Sequence, residues 1–177
     1  MNTLSLRQDA ATKNRLTFLI IDDHPIVIDG MTMAFQTIDP HADILTVPSV
    51  ERALDSFGKD EQFALIMLGL TLQDELDFTL LSALKTAMVD IPIVLYSADE
   101  RVDTIYRALN AGAMGIISKR SQTAVLVGAL RLVLAGGIYI PPQILTAMQI
   151  SHPPSFSPTS PSFLAQEHAR NQVHSQA

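Results

Sequence analysis

Four residues able to do chemistry stand at the ends of apolar runs in this chain. Asp22 and Asp23 close Leu16–Ile21, Ser97 follows Ile91–Tyr96, and Lys119 follows Met114–Ile117. A further apolar run, Phe63–Leu68, leads into Gly69-Leu70-Thr71, where Gly69 offers no side chain at all. Taken singly, each has an ordinary reading: Asp-Asp-His-Pro as a turn and helix cap, a lone serine or lysine as solvated surface. Their joint placement on successive strand ends is what singles them out. An acidic pair could serve an enzyme such as a phosphohydrolase. That chemistry needs a nucleophile followed at short spacing by an acid, and Asp23-His24-Pro25 supplies none, so no enzyme is expected. The chain has no cysteine, so any metal would be held by oxygen or imidazole ligands. No glycine-rich phosphate loop is present.

The elements that must position these residues follow from periodicity. Leu16–Ile21 is continuously apolar, as a strand buried on both faces of a parallel sheet must be. Pro25 suits the first turn of a helix, whose core face is marked by Val27, Met31, Ala34 and Ile38 and whose end is Asp39-Pro40. The pattern continues with a strand at Asp43–Val47, a short helix at Val50–Phe57, the strand Phe63–Leu68 and its exit turn at Gly69-Leu70-Thr71. A helix near Phe78–Met88 and the strand Ile91–Tyr96 come next. Val102, Ile105, Tyr106 and Leu109 mark a helix closed by Asn110-Ala111-Gly112. Met114–Ile117 is the last strand, and Gln122–Ala135 a final helix stopped by Gly136-Gly137. Strands alternating with helices predict an α/β fold: a doubly wound five-stranded parallel sheet, flavodoxin-like, in the order 2-1-3-4-5. Ligands in such sheets bind outside the carboxyl ends of the strands, where Asp22, Asp23, Gly69, Ser97 and Lys119 all fall.

The 177 residues divide into a flexible lead at 1–14, one folded domain at 15–142, and a segment at 143–177. That last segment is expected to hold a short helix, then a linker in which Pro153, Pro154, Pro158 and Pro161 alternate with serines, then a polar tail from Phe163. The chain is expected to stop in or just after that linker. A net charge of −6 with scattered lysines and arginines disfavours nucleic-acid binding by this segment. Met1–Arg15 lacks the apolar stretch of a signal peptide, and Ala124–Gly137, interrupted by Arg131, is too short to cross a bilayer. A cytoplasmic protein is expected.

The order acidic pair, strand-end residue, hydroxyl, lysine resembles the receiver domain of bacterial two-component response regulators of the LuxR/NarL type. The resemblance spans roughly residues 16–142. It is carried also by Ile20-Ile21-Asp22-Asp23-His24-Pro25, by Ala108-Leu109-Asn110-Ala111-Gly112-Ala113-Met114-Gly115, and by Gly136-Gly137-Ile138-Tyr139-Ile140-Pro141. In that family the acidic pair and an acceptor aspartate bind Mg²⁺, a lysine pairs with the phosphoryl group, and a hydroxyl moves to hold it while an aromatic on the fifth strand turns inward. The resemblance assigns Asp22 and Asp23 to the metal pair, Ser97 to the switch hydroxyl and Lys119 to the lysine. It places Gly69 at the phosphoacceptor and Ile116 at the switching aromatic, so both ends of the relay are altered. The implied state is a receiver that takes no phosphate from a histidine kinase and binds Mg²⁺ weakly or not at all. In it, Lys119 is expected to pair with Asp22 or Asp23. Asp74 and Asp77 lie beyond Gly69; Asp74 is too far along the loop to replace an acceptor, and Asp77 is expected to cap the helix at Phe78.

The final helix carries one charge, Arg131, and an apolar arc about twice the usual width, with Leu126, Leu130 and Val133 toward the core, Val125 and Leu132 on one flank and Val127 and Leu134 on the other. Val125, Gly128 and Leu132 are candidates for a homodimer interface, which the family commonly builds from this helix. The expected role is the regulatory part of a LuxR-type transcription regulator, reaching DNA only through a further C-terminal domain. The alternative is a stand-alone interaction module that binds a kinase or another regulator.

Overall fold

Alternate residues of the central strands feed two separate cores. In the computed structural model, which describes residues 15–57, 62–70, 78–142 and 144, the strands are β1 Thr17–Ile21, β2 Asp43–Val47, β3 Leu65–Gly69, β4 Ile93–Ser97 and β5 Gly115–Ser118. The helices are α1 Pro25–Ile38, α2 Val50–Ser56, α3 Thr79–Ala87, α4 Val102–Asn110 and α5 Thr123–Leu134. All strands are parallel, in the order β2-β1-β3-β4-β5. Phe18, Ile20, Leu65, Met67, Val94 and Ile117 pack with α1 and α5 on one face. Leu19, Ile21, Ile66, Leu68, Leu95 and Ile116 pack with α2, α3 and α4 on the other. A period of two applied to strands with two dry faces leaves no polar position, and this is why the runs read as continuously apolar. Phe18 and Phe35 stack with their ring centroids 4.2 Å apart, anchoring α1 to β1.

Helix ends are set locally. Gly112 (φ 98°) and Gly136 (φ 85°) take the left-handed conformation after α4 and α5. Behind the second, Gly137 N–H donates to Leu132 O at 3.0 Å and Gly136 N–H to Val133 O at 2.9 Å, the paired bonds that close a helix on glycine. Beyond Gly137 the chain returns along the outer edge of β5: Tyr139 bridges Gly115 in parallel, its N–H donating to Met114 O at 3.0 Å.

Two expectations need correction. Gly69 is the last residue of β3, in register with Tyr96, rather than part of the turn leaving the strand. Its φ is not positive, so the backbone there is ordinary strand and its neighbour on β4 holds it in the sheet. The strands at β3, β4 and β5 also run one or two residues later than their apolar runs suggest, because hydrogen-bonded pairing and hydrophobicity end at different residues. Asp74 and Asp77 lie outside the described residues, as do 1–14 and, apart from Ile144, 143–177.

The β4–α4 loop contains a buried acid. Asp99 accepts from the guanidinium of Arg101 (Nε at 2.8 Å), from Arg101 N–H at 2.9 Å and from Thr104 Oγ1 at 2.6 Å. These bonds, the Arg101 guanidinium first, hold its carboxyl well below the usual carboxylate range although burial opposes them. A lowered folded-state value stabilises the fold above the unfolded pKa of about 4 and is lost as pH falls toward the folded value. Acid titration of stability should therefore fall more steeply in the wild type than in Asp99→Asn. Equal slopes in urea melts at successive pH values would remove this role from Asp99.

Candidate functional site

The carboxyl ends of β1, β3, β4 and β5 bring together the residues their sequence positions predict. Asp22 directly follows β1, and its N–H donates to Val47 O at 3.1 Å. Its side chain is 3% exposed, while Asp23 and His24 beside it stand open to solvent. Asp22 Oδ1 accepts from His24 N–H at 2.8 Å and lies 2.9 Å from His24 Nδ1, so the start of α1 clamps one oxygen. Asp23 Oδ1 lies 2.9 Å from the same imidazole nitrogen.

The other oxygen of Asp22 occupies an unusual place. A Cβ built on Gly69 would fall 1.8 Å from Asp22 Oδ2 and 2.7 Å from Asp22 Cγ. The carboxylate of Asp22 thus fills the space in which any side chain at residue 69 would begin. A side chain there would displace Asp22, so glycine is favoured by this contact and not by backbone conformation.

Lys119 does not pair with either aspartate, contrary to expectation. Its Nζ donates to Leu70 O at 3.2 Å and lies 5.8 Å from the centre of the Tyr96 ring. The reach is set by strand order: β4 stands between β3 and β5, and the lysine crosses over Tyr96 to the carbonyl just beyond β3. Tyr96 has its hydroxyl pKa raised by burial and then by the negative charge of Asp22. Ser97 is fully buried, and its Oγ accepts from Asp99 N–H at 2.9 Å. Ile116, 2% exposed, is a core residue beside Ile105 and Ala108.

Among the described residues, one cluster could hold a metal ion, and its donors are not all oxygen. Asp22, Asp23 and His24 each offer one ligand atom within 4.8 Å of the others, but this is two oxygens and an imidazole. A hard cation of this kind favours oxygen ligands, and no third carboxylate extends from β3. Sequence reasoning did not anticipate three participants: the His24 clamp, Tyr96 and Asp99. Only Asp99 left a usable signal, an acid three residues before the start of a helix, where Asx turns are common.

These features have counterparts. Residues 18–131 match the family model described as response regulator receiver domain. The chain belongs to this family. Among curated relatives, the receiver is 28% identical over 127 residues to a glycerol metabolism activator of Pseudomonas putida, covering 72% of this chain and 58% of that protein. It is 30% identical over 131 residues to the transcriptional regulatory protein UhpA of Escherichia coli K12, covering 73% and 64%. The chain spans less than two thirds of either relative. A LuxR family DNA-binding response regulator from Silicibacter pomeroyi superposes on the receiver with a TM-score of 0.62 at 26% identity, covering 73% of this chain and 98% of that one. Among the described residues, no helix is long and apolar enough to cross a membrane.

Proposed function

We propose that this receiver works without phosphorylation, as the regulatory part of a cytoplasmic LuxR-type transcription regulator that acts through dimerisation or through binding a ligand or partner. One observation carries the proposal: where the family's acceptor side chain would leave β3 there is Gly69, and its space is filled by the Asp22 carboxylate. Phosphoryl transfer needs a nucleophile at that point and a metal to neutralise the incoming charge. Gly69 offers no nucleophile, and Asp22 is held back by His24. Mg²⁺ binding is weak or absent for the same reason, no reaction is catalysed, and any contact with DNA is made by a separate C-terminal domain.

Incubation with acetyl phosphate and Mg²⁺ is expected to leave the intact mass of the protein unchanged. A stoichiometric, base-labile phosphoryl adduct would overturn the proposal, and peptide mapping would then show which carboxylate had accepted it.

A further inference from the structure

A cavity of about 290 Å³ opens beside Gly69 on the α2–α3 side of the sheet, away from Lys119. It lies at the carboxyl ends of β1 and β3, on the side toward β2, in the region where ligands enter sheets of this order. Its acidic residues are Asp22, Asp23 and Glu51, and the floor is apolar, formed by Leu68, Leu70, Phe78 and Leu81. The four floor residues are themselves buried, while Asp23, Pro48 and Glu51 at its edge are exposed. Its size, close to the lower end of small-molecule sites, suits a ligand of roughly ten heavy atoms.

Among the described residues, the two aspartates meet no lysine or arginine, only the His24 imidazole. Asp22 Oδ1 is bound by His24, but Oδ2, at the Gly69 face of the cavity, has no hydrogen-bond partner among the described residues. The nearest pocket cation of the family, Lys119, is committed to Leu70 O. No lysine or arginine contacts Asp22 among the described residues. A buried carboxylate oxygen with nothing to accept from is costly, and a ligand that donates to it recovers that cost.

We propose that this cavity binds a small organic cation, an ammonium group donating to Asp22 Oδ2 and an apolar or aromatic body lying on Phe78 and Leu81. This deepens the reading above and rests on it, since in a receiver that takes phosphate Mg²⁺ would occupy the same carboxylate. The missing side chain at Gly69 leaves room for Oδ2 beside that residue, which itself lines the cavity. Negative charge and apolar floor together select for an amphipathic amine over either a bare metal ion or a neutral apolar molecule.

The test uses the whole chain and two probes of the same shape, phenethylamine and its uncharged counterpart 2-phenylethanol, followed by amide NMR shifts. The amine is expected to shift the amides of Asp22, Gly69 and Phe78 and to bind at least tenfold more tightly than the alcohol. Asp22→Asn should reduce that ratio to near one. If Asp22→Asn does not fold, the wild-type ratio alone decides, because a site without a working carboxylate would not separate the probes. Equal binding of both probes, or no shift at those amides, would overturn the proposal. So would MgCl₂ producing the shifts while the amine produces none, which would make the cavity a metal site. A phosphoryl adduct with acetyl phosphate would overturn the parent reading instead, and the two failures are separately visible.

Discussion

Gly69→Ala is expected to destabilise the domain by about 1–3 kcal/mol, the opposite of what the substitution does at an unstrained site. There, alanine stabilises by about 0.4–1 kcal/mol through the unfolded chain. At Gly69 the new methyl would meet Asp22 Oδ2 at 1.8 Å and Cγ at 2.7 Å. Asp22 must then swing away, giving up its bonds to His24 and leaving a carboxylate in a place that now exposes only 3% of it. Removing Asp22 as well should relieve the clash, so Asp22→Ala and Gly69→Ala together are expected to cost about 1–2 kcal/mol less than their sum. Urea unfolding of the four proteins measures this cycle. An additive double mutant, or a stabilised Gly69→Ala, would show that Asp22 moves aside freely. Restoring an aspartate at 69 sets two carboxylates against each other, so Gly69→Asp should be less stable than the wild type in chelator and should regain stability with Mg²⁺.

Leu132→Glu is expected to weaken self-association by roughly 100-fold, equivalent to about 3 kcal/mol, while leaving the domain folded. Leu126, Leu130 and Val133 are buried against the sheet, and Val127 and Leu134 pack in the same core. On the α1 side, Arg131 Nη2 donates to Thr37 O at 3.3 Å. The opposite flank keeps Val125 43% and Leu132 45% exposed, and a Cβ added at Gly128 would touch nothing within 4 Å. That flank can accept a second helix at close range, and a glutamate there would be buried without a counter-ion. Leu132 also rests against Gly137, where a Cβ would meet its Cδ1 at 2.6 Å, so circular dichroism should accompany the measurement. Sedimentation of wild type and variant at equal concentration decides the matter. A wild type that sediments as a monomer would remove this interface.

Sheet order and the gathering of Asp22, Asp23, Gly69, Ser97 and Lys119 were legible in the sequence, because strand-end position follows from alternating apolar runs and a fixed crossover hand. Leu126, Leu130 and Val133 were legible as a core face from helical period alone. The direction of Lys119 was not. A flexible side chain between a carbonyl and a carboxylate is decided by three-dimensional distance, which spacing does not encode. Nor was the filling of Gly69's space by Asp22. A missing side chain can be read from sequence as a loss, but the neighbour that moves into the gap is found only from coordinates. Asp99 escaped notice because one acid in a loop has many solvated readings, and its burial depends on how Arg101 and Thr104 turn back over it.

The backbone bond between Tyr139 and Met114 gives the domain a direct outlet. Tyr139 bridges Gly115, at the start of the strand that carries Ile116 and leads directly to Lys119. The outgoing chain is therefore attached to the pocket's own strand and is not joined to it through a loose hinge. The absence of a side chain at Gly115 permits this close approach, since a Cβ there would sit 3.1 Å from the Tyr139 backbone carbonyl. The course of the chain at Tyr139 is thus set by the strand whose end leads to Lys119.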